Sequence, residues 1–165
     1  MRKVSKIFLF LAVTLGIFAL AGCASGLEAD NFTSYNNAVI SLFEKYADQT
    51  DKLLANVDKE NDPQKFISMF EQARKDAENY QKAAKEIPVP KGSEKLSEAI
   101  NQLFDTQVKG LDTLLSTLKK IQDGSIPNTD MTPAVEKYEK DYDASVENFE
   151  KVQKDLAAQY DVRIE

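Results

Sequence analysis

All five prolines of this 165-residue chain fall at the joints of an otherwise helical pattern, and that placement limits what the chain can become. A proline inside a helix removes an amide donor and collides with the preceding turn. Pro63, Pro88, Pro90, Pro127 and Pro133 therefore mark the breaks, and the segments between them are free to run as helices of similar length.

The spacing of apolar residues predicts a first helix from about Thr33 to Lys59. Tyr35, Val39, Leu42, Tyr46, Leu53 and Val57 recur in steps of three and four, and Thr50 fills the missing turn. Asn61-Asp62-Pro63 closes that helix and opens the next, with Asp62 as cap and Pro63 in the first turn, where its missing N–H costs nothing. The second helix carries Phe66, Phe70, Ala73, Ala77, Tyr80 and Ala84 on one face. The stretch from Ile87 to Gly92 breaks it, and Ser93 is the expected cap of a third helix from about Glu94 to Gln122. That helix has a wide apolar face, from Leu96 and Ile100 through Phe104 and Leu111 to Leu118 and Ile121, and is expected to be the most buried. Gly124 supplies its stop. Thr132-Pro133 repeats the cap-plus-proline entry, and the fourth helix presents Val135, Tyr138, Tyr142, Val146, Phe149, Val152, Leu156 and Tyr160. The last residues, from Val162 on, read as a frayed or packed tail.

Four amphipathic helices with short connections bury their stripes most simply against one another, which predicts an all-α, antiparallel up-down-up-down four-helix bundle. Ahead of it, Arg2, Lys3 and Lys6 precede the apolar run Ile7 to Ala19, and Leu20-Ala21-Gly22-Cys23 follows. The run is shorter than the roughly 20 residues needed to cross a bilayer, which favours a cleaved leader over a retained span. The tetrapeptide resembles the lipobox of bacterial lipoproteins. The resemblance implies cleavage between Gly22 and Cys23, with a diacylglyceryl thioether and an N-acyl chain such as palmitate on Cys23. The expected organisation is then a signal peptide (1–22), a lipidated tether (23–32) and the bundle (33–165).

Composition narrows the function classes. Cys23 is the sole cysteine, so no disulfide within the chain is available. The leader holds three basic residues and no acidic ones, so its removal takes the net charge from −6 to −9. An acidic domain argues against nucleic acid as a partner and against flat adsorption on anionic lipid. The chain has no histidine, which removes the Ser–His–Asp triad, the usual zinc sites and the Glu-x-x-His di-iron site. No cofactor is expected beyond the covalent lipid.

Several features invite a chemical reading. Glu136, Glu139, Asp143 and Glu147 share a helix face, but Lys137, Lys140 and Lys151 are interleaved with them, the pattern of a solvated surface. The Asp58–Asp62 turn lacks the central Gly and terminal Glu of a calcium loop. Tyr35, Tyr46, Tyr80, Tyr138, Tyr142 and Tyr160 lie on or beside the seams. Lining of a ligand groove is one reading, and closure of the core rim with hydroxyls in water is the favoured one. Thr50, Gln107, Gly110 and Ser145 interrupt the apolar faces. Gly110 costs about 1 kcal/mol against Ala in a helix interior, which points to close approach of a neighbouring helix, or otherwise to a small cavity.

Tyr35-Asn36-Asn37, the Pro88/Pro90-Lys91-Gly92 break followed by Leu96, and the ending Leu156-Ala157-Ala158-Gln159-Tyr160 together resemble a family of bacterial surface lipoproteins of leptospiral type. The resemblance spans nearly the whole mature part. It implies a lipid-anchored helical domain and carries no catalytic or ligand residues.

The expected function is therefore a binding or interaction module at the bacterial cell envelope, without catalysis, held to the membrane through its lipid and meeting an envelope protein partner. The location is the extracytoplasmic face of the cell membrane. Ala24 and Ser25 after Cys23 lack the Asp-type inner-membrane retention signal, which favours the outer membrane in a two-membrane cell. The alternative is a carrier of a small apolar molecule or lipid, with a core cavity among Leu103, Leu111, Leu114 and Phe149.

Overall fold

The computed structural model describes residues 20–21, 26–55 and 62–164. Helix α1 runs Leu27–Leu54, α2 Pro63–Glu86, α3 Glu94–Gln122 and α4 Met131–Gln159, the last entered through a 3-10 turn at Asn128–Asp130. The four helices pack into an all-α bundle. Helix α3 lies against both α2 and α4, and α1 against α2. A buried hydrogen bond from Gln153 Nε2 to Asn36 Oδ1 (2.8 Å) and the Phe32–Tyr160 ring contact (centroids 5.2 Å apart) join α1 to α4 and close the circuit.

Local chemistry sets the helix ends. The Asp62 side chain accepts from the Gln64 amide at 2.9 Å, with Pro63 as the first helical residue, as the sequence indicates. Gly124, at φ +79°, ends α3 in a Schellman arrangement: the Ser125 N–H reaches the Lys120 carbonyl at 2.9 Å and the Gly124 N–H reaches that of Ile121 at 3.2 Å. The same motif ends α4 without a glycine. Asp161 takes φ +53°, and the Val162 N–H bonds the Ala157 carbonyl at 2.8 Å with both side chains buried. The tail is thus packed at Val162, and beyond it β2 (Arg163–Ile164) pairs antiparallel with β1 (Leu20–Ala21).

Two helix starts and one cap differ from the sequence expectation. Helix α1 starts at Leu27 rather than Thr33, so most of the expected tether is helix. The cause is burial: Ala29 and Phe32 continue the stripe downwards and meet the end of α4. The stripe is centred accordingly, with Phe32, Phe43 and Tyr46 inside and Leu42 and Leu53 at its flank. Val57 and Lys59 lie outside the described residues. Ser93 does not cap α3. Its φ of −102° and ψ of 10° lack the extended geometry that brings a cap oxygen over the first free amides, and instead the Glu94 carboxylate accepts from the Gly92 N–H at 2.9 Å. Met131, buried, begins α4, which leaves Thr132 and Pro133 inside the first turn.

Gly110 makes room for a neighbour on α4, the close approach that its helical position indicates. A Cβ there would overlap Cδ2 and Cε2 of the buried Tyr138 ring. Gly110→Ala gains about 1 kcal/mol of helix propensity. Forcing a buried ring to move costs about 1–3 kcal/mol, so a net loss is expected. A raised urea midpoint in Gly110→Ala would contradict this packing. At the other special backbone position, Asp161→Gly relieves a left-handed conformation at an exposed site. It should raise stability by about 0.5–1 kcal/mol in the same assay.

Candidate functional site

The residues that interrupt the apolar faces come together. Gln107 of α3 is fully buried at the bundle centre, and its Oε1 accepts from the Tyr46 hydroxyl of α1 at 3.3 Å and from the Tyr138 hydroxyl of α4. Thr50, one turn beyond Tyr46, is buried beside it, and Ser145, also buried, donates to the Tyr142 carbonyl at 2.7 Å. From α2, the buried Asp76 accepts from Gln72 Nε2 at 2.8 Å and its charge raises the Tyr46 pKa. All four helices therefore contribute to one polar layer. The Gln107 Nε2, Thr50 Oγ1 and Tyr142 Oη atoms lie within it without hydrogen-bond partners.

Tyr46 is the hub of the surrounding aromatic packing. Its ring meets Tyr80 and Phe104 edge-on, both at 5.5 Å between centroids, and Phe43 at 5.9 Å. Such edge contacts favour one relative placement of the rings rather than a generic apolar fill.

Burial pushes the tyrosine hydroxyls of this layer far above their usual range. For Tyr46 the Thr50 hydroxyl opposes the shift and Asp76 adds to it. For Tyr138 the neighbouring Tyr46 and Tyr142 add to burial and the Gln107 amide opposes it. Tyr142 is raised in the same way, by burial first and Tyr46 second. These hydroxyls stay protonated at physiological pH, and those of Tyr46 and Tyr138 serve the layer as hydrogen-bond donors.

The structure corrects the rim reading of the tyrosines. Tyr35, Tyr46, Tyr138 and Tyr142 are buried with their rings inside the bundle. Only Tyr80, whose hydroxyl donates to Gln49 Oε1 at 3.1 Å, and the half-buried Tyr160 sit at the edge. A reader of the sequence can see that each tyrosine lies on a stripe. The spacing does not show that Gln107 on another helix stands at the level where the hydroxyls end.

The acids of α4 point outward. Glu136, Asp143 and Glu147 are exposed and Glu139 is half-buried, while Lys137–Asp141 and Lys151–Asp155 form surface ion pairs four residues apart. Pairs of this kind contribute little to stability. Among the described residues no group of three or more His, Cys, Asp or Glu is arranged to hold a metal ion. The Asp58–Asp62 turn lies outside the described residues except for Asp62, which is occupied as a helix cap.

An open groove of about 540 Å³ runs between α2 and α3. Arg74 bridges it to Asp112 and also pairs with Glu78 at 3.0 Å, and Lys119 pairs with Glu71 at 2.7 Å. Leu115 forms its floor and Lys120 and Asp123 its far end. None of Leu103, Leu111, Leu114 and Phe149 lines it. Those four side chains are part of the packed core.

Of the lipobox residues, the backbone of Leu20 and Ala21 is described, as strand β1, whereas Gly22 and Cys23 lie outside the described residues. No helix among the described residues is long and apolar enough to cross a membrane. No family model, no curated protein and no solved structure matches the chain.

The buried tyrosines have a consequence at high pH. Their folded-state pKa values exceed the unfolded value near 10, so above that pH the unfolded chain releases protons that the folded one retains. The contribution is whole below about pH 10 and falls as pH rises towards the folded values. The slope is about 1.4 kcal/mol per pH unit for each hydroxyl, or about 4 for Tyr46, Tyr138 and Tyr142 together. Urea unfolding at stepped alkaline pH should show this loss, and Tyr138→Phe should reduce the slope by one hydroxyl's share. An unchanged slope would mean that the hydroxyl reaches water.

Proposed function

We propose that this protein is a lipid-anchored, extracytoplasmic interaction module of the bacterial cell envelope, without catalytic activity. The observation that carries the reading is the position of the sole cysteine. Cys23 ends the lipobox-like Leu20-Ala21-Gly22 and lies only four residues before the first residue of α1. A lipid there would hold the bundle by one end and leave its long sides and its other end free.

The core supports binding at the surface rather than chemistry within. Its polar layer is built on protonated tyrosines and an amide, its one carboxylate, Asp76, is engaged by Gln72, and the acids of α4 lie at the surface. The groove between α2 and α3, with its cations and carboxylates, is the surface best suited to a charged face of an envelope protein. Nucleic acid is disfavoured by the net charge of −6, which becomes −9 on loss of the leader. No cofactor beyond the diacylglyceryl and N-acyl lipid of Cys23 enters the reading. The location follows from the lipid: the outer face of the cell membrane, and the outer membrane where there are two.

The test combines anchoring and capture. Full-length protein should incorporate radiolabelled palmitate and sediment with membranes, and Cys23→Ala should do neither. Cross-linking in native envelopes should then capture a stoichiometric protein partner that Arg74→Glu with Lys119→Glu no longer holds. Palmitate on the Cys23→Ala variant would refute the anchor. A defined lipid retained by the purified domain, in place of any protein partner, would favour the carrier reading.

A further inference from the structure

Three features of the fold converge on one end of the bundle. The Tyr160 hydroxyl, at the end of α4, lies against Gly92, where φ is +91° and an added Cβ would overlap it. The same tyrosine ring packs on Phe32, in the second turn of α1. The loop between α2 and α3, the start of α1 and the end of α4 are therefore pinned together. Strand β1 pairs with β2 just beyond α4, so the residues on both sides of Cys23, Ala21 before it and Leu27 after it, belong to this end.

The exposed large apolar side chains are found there too. Among the residues whose side chains are described, the exposed large apolar ones are Leu27, 77% exposed, and Val89, 41%. Leu27 opens α1 and Val89 sits between the two prolines of the α2–α3 loop. Neither belongs to the core.

We propose that this end face, marked by Leu27 and Val89, rests in the headgroup region of the bilayer that holds the Cys23 lipid. This rests on the lipid-anchor reading above and adds the orientation. The length of chain fixes the occupant. Four residues from Cys23 to Leu27 span at most about 14 Å even when fully extended. A thioether seated at the glycerol level leaves Leu27 no position far from the interface. Shallow burial of two apolar side chains is favourable there, as it is for interfacial helices that sink about 5–10 Å. With the bundle standing on this end, the 29 residues of α3 carry its other end about 40 Å from the membrane.

Depth-dependent quenching tests the orientation with the full-length lipidated chain. In that chain the Cys23 sulfur is a thioether, so an added cysteine is the sole reactive thiol. An environment-sensitive fluorophore is placed at Lys91→Cys, beside Val89, or at Ser125→Cys, in the loop at the opposite end. Each labelled protein is reconstituted into phosphatidylethanolamine–phosphatidylglycerol vesicles with lipids brominated near the headgroup. The Lys91→Cys probe should be quenched roughly twofold or more beyond the Ser125→Cys probe, at the depth expected of an interfacial contact. Leu27→Asp with Val89→Asp should abolish that difference while circular dichroism and palmitate incorporation stay unchanged, since both side chains are exposed.

Equal quenching of the two probes in a chain that carries palmitate would overturn the orientation and leave the anchor standing. Quenching that survives the double aspartate variant would overturn the apolar contact. A chain without palmitate would overturn the anchor and this inference together.

Discussion

One amide sets the register of this bundle. Gln107 Oε1 receives hydroxyls from α1 and α4, so three helices meet at a single oxygen. Apolar stripes alone tolerate sliding, because leucine against leucine is nearly as good one turn away. Apolar burial supplies most of the stabilisation, at about 25 cal/mol for each Å² removed from water. A neutral hydrogen bond nets only about 1 kcal/mol, but a buried polar group left unpaired costs about 1–3. The polar layer thus adds little to the total and much to the choice among packings. A shifted register would strand the Tyr46 and Tyr138 hydroxyls and the Gln107 carbonyl together. Gly110 acts in the same direction from one turn further along α3, since only a helix bare at that point lets the Tyr138 ring come down to the amide.

The same layer carries its own cost. Gln107 Nε2, Thr50 Oγ1 and Tyr142 Oη are buried without partners. A second buried amide pair, Asn36 with Gln153, repeats the arrangement lower in the bundle and leaves Asn36 Nδ2 free. Single polar residues at core positions are the best-attested devices for fixing register at the expense of stability. Two such levels, one joining α1 to α3 and α4 and the other joining α1 to α4, hold α1 in place. That helix needs them, because α2 is its one extensive helix neighbour, whereas α3 packs broadly on both sides.

Much of the fold was legible because helix breaks are local chemistry. Pro63 with Asp62, Gly124 after α3 and the prolines around Val89 act through their own backbone, and α3 begins and ends where those signals put it. The misplaced boundaries are those decided by distant partners. Helix α1 reaches back to Leu27 because Phe32 finds Tyr160, 128 residues away, and no local signal near Asn31 announces that. The polar layer was half legible for the same reason. Periodicity assigns Thr50, Gln107, Gly110 and Ser145 to buried faces, yet it fixes only the face of a helix and not the level at which two helices meet. The inward placement of the Tyr46 and Tyr138 hydroxyls depends on one glutamine on another element, which periodicity does not show.

The pairing of β1 with β2 has to be weighed against the proposed cleavage. Cutting between Gly22 and Cys23 removes Leu20 and Ala21, and with them the partner of Arg163 and Ile164. The strand pair therefore belongs to the uncleaved chain, and the bundle must hold its C-terminus without it. It has the means: Val162 is buried and its amide is bonded to Ala157 within α4, and Tyr160 is clasped between Phe32 and Gly92. What cleavage changes is the edge of β2, whose backbone groups turn to water or to the interface. Under the proposed anchoring, the end that would lose a strand is the end that would carry the lipid. Leu27 and Val89 are already exposed with β1 in place, so loss of the strand would leave them as they are, and the register of the helices above, fixed by Gln107 and Asn36, would be untouched.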